Sequence, residues 1–153
     1  MAHDGIFTDD ATEAIDALDQ QIFGKKLMGR AGLELRPVPD RGMGTGGLAR
    51  MSAAQSTNVT TIWRAFILKP RGRVAFVPPQ GTSSADAGAR LSAAGVVGPD
   101  GQATAGAYEY HFDKDTPTPR LVEFALSSLK SLGYGQGNAM WSWVTRAKDQ
   151  VPR

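Results

Sequence analysis

Apolar side chains return every third or fourth position near the start of the chain, at Phe7, Ala11, Ala14, Ile15, Leu18 and Ile22. One face of a helix repeats at that interval, so residues 9 to 23 are expected to form an amphipathic helix. Asp10 followed by Glu13 suits its first turn, and Gly24 with Lys25 and Lys26 suits its end, where cations meet the negative pole of the backbone dipole.

From Leu27 to Asn58 the repeat lapses. Pro37, Pro39 and a run of glycines predict a long connection, with a short extended piece at Leu33–Val38 and room for one or two helical turns at Leu48–Gln55. Connections this long rarely lack a function, so contacts with a partner are expected here.

Beyond it the pattern changes to strands. Val59–Leu68 (VTTIWRAFIL) is β-branched and aromatic, and Val74–Val77 follows a Lys-Pro-Arg-Gly turn, which together predict a hairpin. Ser83 or Ser84 is expected to cap a helix that runs to Ala94 and stops at Gly95. Pro99-Asp100-Gly101 marks a turn, and Ala103–Phe112 reads as one strand with Tyr108, Tyr110 and Phe112 on one face. Thr118 before Pro119 opens a helix carrying Leu121, Phe124, Ala125, Leu129 and Leu132 at helical spacing up to Gly133. Met140–Thr145 alternates, with Trp141 and Trp143 on the side expected to cover that helix.

The resulting expectation is an α+β fold: a mainly antiparallel sheet of about four strands, two or three helices packed on one face, and a long Gly/Pro-rich loop. At 153 residues the chain fits one domain, comprising an acidic helical arm (1–24), an extended loop (27–58) and an α+β core (59–153). Hydrophobic residues make up 41% and charged residues 21%, which excludes wholesale disorder. No apolar run approaches the roughly 20 residues of a bilayer span, so membrane insertion is not expected. The acidic N-terminus is unlike a secretory leader; a cytoplasmic protein, or one assembled into a particle made in the cytoplasm, is expected. The sequon Asn58-Val59-Thr60 therefore lacks its context. Absence of cysteine excludes disulfides, thiolate metal sites and a thiol nucleophile.

Charge adds an asymmetry. Six of the 15 acidic residues lie in the first twenty positions, which hold no Lys or Arg, leaving nine acids against 17 basic groups in the rest. An acidic arm precedes a basic body, an arrangement suited to contacts between chains or to an anionic partner.

Four groups of residues are candidates for chemistry. Gly42, Gly44 and Gly47 in RGMGTGG match the spacing of a dinucleotide-binding turn, but that site needs an uninterrupted strand before the first glycine and an acid about 20 residues later. Two prolines precede it and the segment TTIWRAFI holds no acid, so Gly42, Met43, Gly44, Thr45, Gly46 and Gly47 are read as a partner-contact loop, with Asp9 and Asp16 of the acidic helix. Glu109, His111 and Asp113 alternate onto one strand face with Asp115 nearby, as an acid–base group or metal site would, although the other histidine is His3 in the arm and no G-x-S-x-G turn is present. Arg64, Lys69, Arg71 and Arg73 interleave with Trp63, Phe66 and Phe76, a combination that neutralises phosphates and stacks bases, though alternation equally lets Trp63 face the core. Tyr134, Trp141 and Trp143 suit an interface, but more naturally the core.

The expected function is that of a non-catalytic structural or accessory protein, acting through protein–protein contacts or self-association in a larger assembly such as a virion or secretion device. No cofactor or metal is expected. The alternatives are a nucleic-acid binder using the basic hairpin and a small enzyme with His111 as acid or base.

Overall fold

The computed structural model describes residues 4–7, 10–24, 31–38, 63–69, 72–134 and 140–146. In chain order these form β1 (Asp4–Phe7), α1 (Thr12–Gly24), β2 (Ala31–Val38), β3 (Arg64–Lys69) and β4 (Arg73–Val77). Then come α2 (Ser84–Ala93), β5 (Gln102–Ala103), β6 (Tyr108–His111), α3 (Thr118–Ser131) and β7 (Met140–Arg146). The strands make one antiparallel sheet in the order β1-β7-β2-β3-β4-β6-β5.

The α+β class and the helices on one face follow the sequence expectation, but the described sheet has seven strands rather than four. β1 is four residues long, too short to show a period. The single strand expected over Ala103–Phe112 is instead a hairpin: the Thr104 amide and hydroxyl both donate to the Ala107 carbonyl, at 2.8 and 2.9 Å, and close a turn through Ala105 and Gly106. The extended piece expected at Leu33–Val38 is the interior strand β2. Its Pro37 is tolerated because the β3 ladder stops at Leu35–Ala65, so that among the described residues Pro37 is paired with β7 alone.

Strand direction explains why all three helices share a face. Antiparallel neighbours alternate, so β1 and β2 run the same way, as do β4 and β5, and β6 and β7. Each of α1, α2 and α3 therefore belongs to a crossover between strands of like direction. The first two crossovers run one way across the sheet, while the third joins strands of opposite sense and runs back. These are related by a rotation in the sheet plane, so the single handedness of such connections lands every helix on the same side.

Between the layers lies the main core. Leu33, Leu35, Ala65, Ile67, Val74, Phe76, Trp141 and Trp143 meet Leu18 of α1, Leu91 of α2, and Leu121, Ala125 and Leu129 of α3. Phe76, Tyr110, Phe112 and Phe124 interlock edge to face, with centroids 5.0 to 6.1 Å apart. Phe7, counted in the apolar repeat that predicted the first helix, belongs to β1 and enters this core opposite Trp141.

The caps are partly as expected. Ser83 caps α2 by accepting from the Asp86 amide at 3.1 Å. At α3 the cap is Pro117 rather than Thr118, because the Thr118 hydroxyl is spent elsewhere: it donates to Asp19 of α1 at 2.8 Å and ties the two helices together. Among the described residues no helix is long and apolar enough to cross a membrane.

Candidate functional site

Strand alternation sends every second side chain away from the helices, and on that far face the polar residues gather. Glu34 and Arg36 come from β2, Arg64 from β3, Arg73 from β4, and Glu109 and His111 from β6. Both carboxylates are 1% exposed. Glu34 meets two arginines and Glu109 meets Arg73 and His111, as buried polar groups need partners.

At Glu34, Arg36 Nη2 donates to Oε2 at 2.6 Å while Arg64 Nη1 stands 3.6 Å from the same oxygen. The two guanidinium nitrogens are therefore at most about 6 Å apart, and like charges at that range repel by roughly 3 kcal/mol at an effective dielectric of 20. Glu34 lies nearer to both and holds the group together, yet two positive charges meet one negative among the described residues. Arg64 makes no hydrogen bond there, since 3.6 Å is too long. Its Nε is buried without a partner. The guanidinium lies over the Phe66 ring, 5.8 Å from the centroid, which fixes its plane.

At Glu109, Oε1 accepts from Arg73 Nη1 at 3.3 Å and meets His111 Nε2 at 3.1 Å. A carboxylate can only accept, so Nε2 carries the ring proton. Oε2 is buried with no partner. His111 is the outermost member, with 39% of its side chain exposed. Asp113, expected on the same face, lies past the end of the strand, where it is exposed and accepts from the Asp115 amide at 3.1 Å.

Register fixes the distance between the two carboxylates. Glu34 pairs with Phe66, Phe66 with Ala75, and Ala75 with Glu109. Three strand spacings put their Cα atoms about 14 Å apart. Each carboxylate has its own described ion pairs, Glu34 with Arg36 and Arg64, and Glu109 with Arg73 and His111.

The basic hairpin is divided by the same alternation. Trp63 and Phe76 are buried under the helices and present no stacking surface, while Phe66 lies on the far face beneath Arg64. Arg64 and Arg73 share the far face but attend different carboxylates. Arg71 and the Lys69 side chain lie outside the described residues, as do Gly42–Gly47 and Asp9. Asp16 is exposed on α1. Glu34 and Arg36 were not singled out from the sequence, although the alternation in Leu33-Glu34-Leu35-Arg36 carries the signal for a one-sided strand.

The helix layer presents a second feature. α1 and α3 leave an open groove of about 290 Å³ between them. Ala11 and Ile15 form one wall, and Val122, Leu126, Glu123 and Lys130 line the other. Beyond the first wall α1 turns Glu13 and Asp16 to solvent.

No family model, curated protein or solved structure matches the chain.

Proposed function

We propose that the protein is a non-catalytic accessory component of a larger assembly, acting by docking a basic amphipathic segment of a partner protein in the groove between α1 and α3. The observation that carries this reading is the groove itself, an open trough with apolar walls whose lining holds one acid, Glu123, and one base, Lys130. Its apolar side chains suit a partner helix that presents residues at intervals of three and four. Within the lining Glu123 and Lys130 balance, so the basic character proposed for the partner rests on Glu13 and Asp16, exposed elsewhere on α1. The acidic helix thus contributes one wall of the dock, and the segment Gly42–Gly47 would add contacts to neighbouring chains.

A fluorescent Leu/Lys amphipathic peptide, with its Leu/Glu counterpart as control, tests this by anisotropy. Saturable binding of the Leu/Lys peptide is expected. Ser127→Arg, which places a cation on an exposed groove position, should weaken it at least about tenfold, or about 1.4 kcal/mol. Equal binding of the two peptides, or binding indifferent to Ser127→Arg, would defeat the proposal.

A further inference from the structure

At one end of the sheet, we infer that β1 and the Trp143 indole beside it form a docking edge for an extended, basic segment of a partner protein, added as a further strand antiparallel to β1. β1 closes the strand order, with β7 on one side and no described strand on the other. Every second residue of a strand turns its N–H and C=O to the same side, so half of β1 offers these groups outward. No turn, loop or cap hydrogen bond takes them up among the described residues. Sheet edges are ordinarily blunted against such pairing, and the opposite edge follows that rule: β5 is two exposed residues doubled back at the Thr104 turn. β1 has neither lysine nor proline, and Gly5 and Ile6 at its centre are half-buried.

A side chain at this edge is also short of a partner. Gly5 pairs with Trp143, whose indole lies so close that a Cβ at Gly5 would stand 2.8 Å from Nε1. Trp143 is 2% exposed, yet its indole N–H has no acceptor among the described residues. Unlike the Nε atoms of Arg64 and Arg73, this nitrogen is not sealed from solvent, so an incoming acceptor reaches it. A residue placed opposite Gly5 shares its face of the sheet and meets the indole, which selects a side chain carrying a carbonyl or hydroxyl oxygen. On the other face Ile6 selects an apolar neighbour and the exposed Asp4 a base. The first twenty residues hold six acids and no Lys or Arg, so a second copy of the chain would bring like charges together where a basic segment brings opposite ones.

The test is an NMR titration of the ¹⁵N-labelled whole protein with the peptide Thr-Val-Asn-Lys-Thr. Antiparallel to β1, this sequence sets Val against Ile6, Asn against Gly5 and Lys against Asp4. Saturable shifts of the β1 amides and of the Trp143 indole N–H are expected, the latter moving downfield as it gains an acceptor. N-methylation of the peptide amides removes the donors of the new ladder and should weaken binding at least about tenfold. Asp4→Lys, at an exposed position, should weaken it about fivefold or more. Ser127→Arg, in the groove between α1 and α3, should leave it unchanged, which separates this edge from the dock proposed there. Equal binding of the N-methylated peptide, an indole resonance that stays still at saturation, indifference to Asp4→Lys, or loss with Ser127→Arg overturns the inference. So does a dimer by light scattering whose β1 amides are already protected from exchange, since the edge would then belong to a second copy.

Discussion

Tyr110 and Glu109 are adjacent on β6 and answer to opposite environments. Glu109 turns to the ion clusters, whereas Tyr110 turns under the helices, where burial and then the neighbouring Tyr108 push its phenol up to about 12 from an ordinary 10.0. The unfolded chain therefore loses that proton first as the pH rises. Stability from this group is complete below pH 10 and falls between pH 10 and about 12. Melts across that range should show a steeper decline in the native protein than in Tyr110→Phe; parallel declines would assign the loss to other groups. Asp10 moves the other way for a local reason: the Thr12 hydroxyl and then its amide bond to the carboxylate and hold it below the usual range. At this scale the sequence was half legible. Glu109 and His111 were readable as partners because their spacing of two is local, and they do meet. Glu34 with Arg64 was not, because a pair from different strands becomes visible only when register is known, and β2 was legible only as a short extended piece within a connection.

Helix α2 shows how a single backbone approach positions an element. Gly88 faces β6 so closely that a Cβ there would collide with the Tyr108 ring. Ring atoms held between Gly88 and Gly101 cannot simply turn aside. Gly88→Ala should therefore cost about 1–3 kcal/mol through overpacking, despite the better helix propensity of alanine. A urea melt with an unchanged or raised midpoint would show that Tyr108 can give way. The helices were the most legible elements because their signals, apolar spacing and a capping serine, are contained within each segment. Thr118 was misassigned as a cap because its true acceptor, Asp19, lies in another helix. β1 and β5 left no period to read, since their existence depends on the strands they pair with.

At the scale of the whole molecule, class was legible and strand order was not. The alternation of helix and strand segments announces an α+β layer, but β7 lies between β1 and β2, a placement no local pattern encodes. The two candidate surfaces inherit the same layering, with the apolar groove on the helix side and the arginines that share Glu34 on the other. One consequence concerns the order in which the chain is synthesised. Among the described strands β1 is translated before the others, yet its sheet partner is β7, translated after them. β1 must therefore wait for translation of the other described strands before it can pair. Non-local pairing of this kind folds slowly and leaves apolar surface uncovered meanwhile. A chain ended after Tyr134 should show no cooperative thermal transition, and a cooperative melt from it would prove that β2–β6 close without β7. Until β7 is made, β1 has no described neighbour in the sheet and Phe7 no Trp141 to face.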